Sequence, residues 1–253
     1  MKKLTKTNFI EWNNNVFIAS IKKINFNIIL IIILDSLFYL LSGYFVIFWL
    51  QRIQTKIATF NLPADISSIG YEKAQQLVGG VRVFYYLIIF SFVLLLIAII
   101  FLASISKGII WAKTTNTKIT LKLISKFFLL NLLWMGFWFI LVISISLFIE
   151  PASVLKFMIA AIILGLYFTN TLYSIFMKKH MFNSIIEAVK INVTKIHLLA
   201  VPYTAVFILF YVTSKLNSLI QYKYSFIAFA FILLIYTAFI RYYVSTIVYE
   251  INL

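Results

Sequence analysis

The sequence predicts an all-α, polytopic transmembrane helix bundle, because six long apolar stretches occupy most of its 253 residues. A membrane-spanning helix needs roughly 20 predominantly apolar residues, so each stretch is long enough to cross a bilayer. Apolar residues make up 63% of the chain and charged residues only 11%, whereas an average soluble domain has roughly 25% charged residues. The composition therefore predicts a single membrane domain, 1–253, with no soluble core.

The six spans are predicted near 27–50, 83–105, 127–149, 152–177, 196–214 and 224–249. Glu150-Pro151 separates the third span from the fourth, because proline suits the first turn of a helix and a carboxylate is favoured near a helix N-terminus. A cytoplasmic interfacial segment, 1–26, precedes the first span.

An outer segment, 51–82, is the largest predicted piece outside the membrane. Pro63-Ala64-Asp65 favours the start of a short helix that runs towards Gln76, and Gly79-Gly80 is expected to end it. We expect this segment to lie on the outer surface or cap the bundle, with a ligand-binding lid as the alternative.

Orientation follows from the positive-inside rule, which counts Lys and Arg in short loops near the spans. The segments before spans one, three and five hold fourteen basic residues and the alternate connections hold seven, with Arg241 counted as intramembrane. We therefore predict a multi-pass protein of the cell membrane with both termini in the cytoplasm.

The sequence lacks the residues that several kinds of chemistry require. The chain has no cysteine, which removes disulfides, thiolate metal sites and cysteine nucleophiles together. It contains no Walker-type phosphate loop, dinucleotide fingerprint or HExxH motif, and its intramembrane serines lack a nucleophile-elbow context. We predict no enzyme activity, and we expect no catalytic residue, cofactor or metal.

The net charge of +15 points to an anionic partner. Nucleic acid is not expected, because the lysines lie beside the spans instead of on a folded polar surface. We predict contacts with anionic headgroups on the cytoplasmic side of the bilayer, and a membrane-protein partner or a homo-oligomer remains open. The alternative to lipid contacts is that the lysines only follow the positive-inside rule for cytoplasmic loops. The predicted lipid contacts are Lys22, Lys23, Lys113, Lys118, Lys122, Lys126, Lys178, Lys179, Lys190 and Lys195.

The basic segments also carry apolar stripes at three- and four-residue spacing, which are typical of interfacial amphipathic helices. A shorter stripe, Ile119 and Leu123, precedes span three. The pattern predicts three hairpin units, each an interfacial helix followed by two spans. The two longer stripes are Ile10, Phe17, Ile21 and Ile24 before span one, and Ile185, Val189, Val193 and Ile196 before span five.

The segment Ser184-Ile185-Ile186-Glu187-Ala188-Val189-Lys190 leads directly into a span. In a six-helix protein, this arrangement resembles a loose group of uncharacterised prokaryotic membrane families, which includes the membrane domain found beside some glycerophosphodiester phosphodiesterases. The resemblance covers the architecture of most of the chain and implies a fold type. The sequence contains no soluble phosphodiesterase domain, so no chemistry is carried over.

Two charged residues lie well inside the predicted spans, where a charge costs about 2.5–3.5 kcal/mol. Asp35 and Arg241 both fall roughly 12–14 Å from the cytoplasmic boundary at 1.5 Å of rise per residue. Matched depth and opposite charge predict an ion pair between the first and last spans. Three roles remain open: a structural lock, a snorkelling Arg241 beside a protonated Asp35, or a proton or ion relay.

Polar residues at a similar depth predict an irregular layer in the cytoplasmic half of the bundle. Hydrogen bonding between helices is the default role of such residues, and a cytoplasm-facing cavity lined by Asp35, Asn170, Thr204 and Arg241 is the sharper hypothesis. The predicted layer consists of Asn131, Thr169, Asn170, Thr171, Pro202 and Thr204.

Two classes of function are compatible with these patterns. The first is a non-catalytic membrane component that interacts with lipid or a partner protein. The second is a transporter of a small solute, or a proton- or ion-coupled one, that uses the polar layer. The sequence identifies no substrate.

Overall fold

The computed structural model describes residues 6–59, 70–219 and 225–251, which form eight α-helices and no strand. Six of the helices are long and apolar enough to cross a membrane. The predicted all-α polytopic bundle is confirmed, and the chain is a multi-pass membrane protein. The helices are α1 (Lys6–Lys22), α2 (Asn27–Ala58), α3 (Tyr71–Thr114), α4 (Leu121–Ser146), α5 (Pro151–Lys179), α6 (Ser184–Thr194), α7 (Ile196–Leu219) and α8 (Ser225–Ile251).

The helices extend beyond the predicted spans, most of all on either side of the 51–82 segment. α2 continues to Ala58, and α3 has 44 residues and a length of roughly 66 Å. The expected helix end at Gly79-Gly80 is wrong, because α3 passes through both glycines. A glycine costs a helix only about 1 kcal/mol, which the hydrogen-bonded turns on both sides outweigh. Pro63-Ala64-Asp65 lies outside the described residues.

Two of the three expected interfacial helices are present. α1 precedes α2, and α6 is separated from α7 by Lys195 alone. The third is wrong: α3 continues to Thr114, and residues 115–120 connect it to α4 without a further helix. The physical reason is that apolar residues continue past the predicted end of span two. The three-unit plan thus reduces to two units with an interfacial helix and one without.

Both interfacial helices pack on the bundle through a few buried residues. α1 buries Val16 and Ser20. The buried residues of α6 are Ser184, Ala188, Ile191 and Asn192. Their apolar stripes are only partly exposed. Ile10 is 78% exposed and Val193 is 64% exposed, whereas Ile185 packs against the core. Each helix therefore offers part of its apolar face to its surroundings, as a helix lying in the membrane interface does.

The described ends of the chain meet at one end of the bundle. Lys23 Nζ, just before α2, donates to Thr246 Oγ1 of α8 at 3.3 Å, and the hydroxyl of Thr117 donates to the carbonyl of Met177 at 3.3 Å. We call this end, with α1, α6, the 115–120 connection and the last turns of α8, the basic end. The opposite end, with the 147–150 turn, is the open end.

The core lies in the half of the bundle next to the basic end. Buried residues of α2, α4, α5 and α8 fall within Ile31–Asp35, Leu123–Trp134, Thr171–Met177 and Ala238–Val248. Ala161 of α5 is the exception among them. The spans are therefore held together mainly in this half.

Candidate functional site

An ionic cluster joins three spans inside the packed half. Asp35 of α2 accepts hydrogen bonds from Arg241 of α8 through both of its carboxylate oxygens, one of them at 3.2 Å from Nη2 to Oδ1. Lys107 of α3 donates to the same Oδ1 at 2.5 Å. One carboxylate therefore connects α2, α3 and α8, the first two spans and the last.

The cluster is almost completely withdrawn from the surface. The side chain of Asp35 is 0% exposed, that of Arg241 is 7% exposed and that of Lys107 is 14% exposed. Arg241 forms the two-pronged contact that a guanidinium makes with a carboxylate. A buried charge is tolerated only when it is paired and hydrogen-bonded, and both oxygens of Asp35 meet that condition.

The structure therefore brings the two charged residues singled out in the sequence into contact. Arg241 contacts Asp35 instead of extending towards the headgroups. The contact fits the structural lock among the three proposed roles, and the relay role stays a prediction.

Lys107 is the member of the cluster that sequence reasoning missed, since it was counted as a loop residue after span two. It lies inside α3, with its ammonium group 4.8 Å from the ring centroid of Phe38 and 5.0 Å from that of Tyr39. The signal was the apolar run Gly108–Ala112, which continues the span beyond the lysine. Without Lys107 the charge count becomes thirteen against seven and keeps its sign.

Asn131 is the centre of a second buried polar group. Its amide nitrogen donates to Ser104 Oγ of α3 at 2.9 Å, and its amide oxygen accepts from the hydroxyl of Tyr173 of α5 at 2.5 Å. Thr169 accepts from the indole nitrogen of Trp134 at 2.8 Å. These contacts tie α4 to α3 and α5.

Asn170 and Thr171 point to different partners. Asn170 donates to the hydroxyl of Tyr203 in α7 at 2.9 Å, whereas Thr171 donates to the amide oxygen of Asn192 in α6 at 2.9 Å. The two adjacent residues of α5 therefore bind two different helices.

Two of the four residues of the predicted cavity have other surroundings. Asn170 is engaged with Tyr203, and Thr204 points outwards from α7 while Pro202 is buried within the same continuous helix. The predicted layer is instead a set of separate contacts between pairs of helices. The physical reason is that adjacent residues of a helix are 100° apart and face different neighbours.

The predicted lipid contacts differ in how free their ammonium groups are. Lys179 forms an ion pair with Glu187 at 2.7 Å. The ammonium groups of Lys23 and Lys178 lie over the ring of Tyr249, at 5.1 Å and 4.1 Å from its centroid. Burial lowers the pKa of Lys23 below its ordinary value, and the charge of Glu250 offsets part of that shift.

The remaining predicted lysines fall into two groups by exposure. Lys113, Lys126 and Lys195 are half-buried. The exposed lysines of this group, which are the freest to meet a lipid headgroup, are Lys22, Lys118, Lys122 and Lys190.

A metal site would need three or more clustered His, Asp or Glu side chains, and none is found within residues 6–59, 70–219 and 225–251. Comparison of the chain with protein-family models, with curated proteins and with solved structures finds no match.

Proposed function

We propose that the chain is a non-catalytic component of the cell membrane that binds anionic lipid, or a membrane partner, at its basic end. Both termini lie in the cytoplasm in this proposal, in agreement with the positive-inside rule. The observation that carries it is the position of the exposed lysines, which occupy the same end at which the helices are packed and locked. A rigid basic surface at the headgroup level attracts anionic lipid.

The non-catalytic part is supported by the ionic cluster. Both oxygens of Asp35 accept hydrogen bonds from cationic side chains. These partners account for a charged carboxylate inside the bundle without a water-filled path beside it. When one member of a buried, fully hydrogen-bonded ion pair is removed, the folded protein is strongly destabilised. Asp35 therefore has a structural role and connects α2 to α3 and α8.

Lipid preference tests this proposal. Purified protein in detergent is heated with phosphatidylglycerol or with phosphatidylcholine of the same acyl chains. A ligand that binds only the folded state raises the midpoint of unfolding, so we expect phosphatidylglycerol to raise Tm by several degrees more than phosphatidylcholine. Equal shifts for the two lipids would rule out a preference for anionic headgroups.

Transport is the second candidate, and one observation favours it: the buried cluster contains two cations and one carboxylate. The resulting excess of positive charge is costly in a bilayer, which suits a site that exchanges a proton or an anion. Proteoliposomes that contain a pH-sensitive dye distinguish the candidates. We expect the same proton leak as in protein-free vesicles, and a leak that depends on Asp35 would establish transport instead.

A further inference from the structure

A basic cavity of about 530 Å³ lies where the 115–120 connection meets the end of α5. No acidic residue lines it, so any bound group experiences an uncompensated positive charge. Its polar lining consists of Thr117, Thr120, Lys118, Lys122, Lys126 and His180.

Hydrogen bonds fix the walls of this cavity. Thr120 caps α4 by accepting from the backbone N–H of Leu123 at 3.2 Å. Lys126 Nζ donates to the carbonyl of His180 at 3.3 Å, and Thr117 donates to the carbonyl of Met177 at 3.3 Å. The connection and α4 are thereby both tied to the end of α5.

His180 forms part of the wall of this cavity and contains a polar atom without a partner. It ends α5 with a left-handed backbone, at φ 54°. Its Nδ1 is buried and has no hydrogen-bond partner among the described residues. A buried polar atom that makes no hydrogen bond costs free energy. The lysines of the cavity therefore supply the charge for an anionic ligand, and its wall contains one buried nitrogen that no hydrogen bond within the described part of the chain uses.

A second, apolar cavity of about 490 Å³ lies between α4, α5 and α6. It is lined by aromatic and aliphatic side chains only, with Ile185 and Val189 of α6 on one side. Trp134, Phe137, Trp138 and Phe168 supply its aromatic wall. A cavity of this composition suits a hydrocarbon chain.

The two cavities lie along one face of α4. At 100° per residue, Lys122, Lys126, Leu133, Phe137 and Leu141 fall within roughly 100° of arc. Lys126 and Phe137 are roughly 16 Å apart along the helix axis, which is within the ~20 Å depth of one leaflet with its headgroups. A single lipid molecule is therefore long enough to enter both.

We propose that this face of α4 binds one anionic phospholipid, with its phosphate in the basic cavity and an acyl chain in the apolar cavity. The lysine ammonium groups and the hydroxyl of Thr120 donate to the phosphate oxygens. The occupant follows from charge complementarity, since the lysines of the cavity attract a phosphate but repel the ammonium group that a zwitterionic headgroup also carries. The inference rests on the proposed preference for anionic lipid and assigns it to one site.

Paired substitutions of equal charge locate the site. Full-length protein, freed of lipid in detergent, is titrated with phosphatidylglycerol and its bound lipid is counted by native mass spectrometry. We expect Lys118→Gln/Lys122→Gln to weaken binding roughly thirtyfold. Lys118→Arg/Lys122→Arg should keep the affinity. The matched control, Lys56→Gln/Lys156→Gln, removes two exposed lysines that lie outside the cavity and outside the predicted lipid contacts, and should change binding less than twofold.

Two outcomes of this titration would contradict the proposed site. If the cavity variant binds as tightly as the unaltered protein while phosphatidylglycerol still raises Tm, the proposed function stands and the site is wrong. If the control loses as much affinity as the cavity variant, the lysines act as a diffuse surface and the site is again wrong.

A brominated lipid separates a phospholipid from a free phosphate. One equivalent of phosphatidylglycerol with bromine in its acyl chain should quench tryptophan fluorescence. Trp134→Phe/Trp138→Phe should lose most of that quenching, because both tryptophans line the apolar cavity, whereas Trp49→Phe, near the open end, should retain it. If glycerol phosphate displaced the bound phosphatidylglycerol completely, and the brominated lipid did not quench tryptophan fluorescence, the cavity would be a site for a soluble phosphate. That result would overturn the proposal.

Discussion

The basic half and the open half of the bundle are both built from apolar spans but differ in packing. Phe127 is 0% exposed in the basic half, whereas Leu40, Phe90, Ile140 and Phe207, nearer the open end, are between 63% and 70% exposed. In a bilayer, apolar surface gains little by turning from lipid tails to another helix. Hydrophobicity alone therefore places helices in the membrane without deciding where they pack.

Polar contacts explain the difference between the halves. In the open half they connect consecutive helices: Trp49 donates to Ser91 of the next helix, and Thr213 pairs with Tyr236. In the basic half they also connect distant parts of the chain, such as Asp35 and Arg241, which are 206 positions apart. Long-range polar contacts thus coincide with tight packing, and their removal should open the basic half.

The largest effect is expected for Asp35→Asn, which leaves Arg241 and Lys107 as two buried cations without their counter-charge. Removal of one partner of a buried ion pair costs roughly 3–5 kcal/mol. We expect that loss in the free energy of unfolding, measured by denaturant titration in mixed micelles. Glu11→Gln, which neutralises an exposed carboxylate of α1 outside its first turn, is the control and should change stability by less than about 0.5 kcal/mol.

Replacement of the whole cluster tests whether it is a lock or a functional requirement. Exchange of the charges, Asp35→Arg/Arg241→Asp, would place an arginine beside Lys107 and should not restore stability. Asp35→Leu/Lys107→Met/Arg241→Met should restore most of it, because apolar groups of similar volume often replace buried ions without loss. A triple variant as unstable as Asp35→Asn would contradict the lock.

The second prediction compares two phenylalanines. Phe127 packs on Tyr173 and Phe176, with ring centroids 4.7 Å and 5.8 Å away, and approaches Gly108 closely enough that a Cβ there would lie 3.5 Å from its ring. Phe127→Ala removes these contacts and should cost about 3 kcal/mol. Phe90→Ala, at a position 63% exposed, should cost less than about 1 kcal/mol in the same denaturant titration. Equal losses would mean that both halves are packed alike.

The spans were predictable because the length of an apolar stretch is a local property of the sequence. It does not depend on tertiary contacts. Their ends were less predictable. Polar and glycine residues such as Gly79-Gly80 and Lys107 lower the apolar average, although α3 continues through both. Hydropathy detects the part of a helix that matches the bilayer and not the turns that extend beyond it.

The site was predictable in part for a related reason. The depth of Asp35 and Arg241 follows from helix rise alone, and it placed them at a common level. The direction in which a side chain points depends on how each helix is rotated against its neighbours, and single-sequence patterns do not contain that rotation. This is why Asn170 and Thr204 were grouped with a cavity, whereas one binds Tyr203 and the other faces outwards.

The smallest expected effect concerns the far end of the open half. Gly79 lies inside α3, and a Cβ built there has no atom within 4 Å. Gly79→Ala should therefore raise the free energy of unfolding by roughly 0.5–1 kcal/mol, because alanine loses less conformational freedom in a helix. Gly108→Ala is the matched substitution in the packed half, and it should gain at least as much, since its Cβ would lie in ordinary van der Waals contact with Phe127 at 3.5 Å. If Gly79→Ala destabilised the protein instead, α3 would be interrupted at that glycine, and the open half would begin with a hinge and not with a continuous helix.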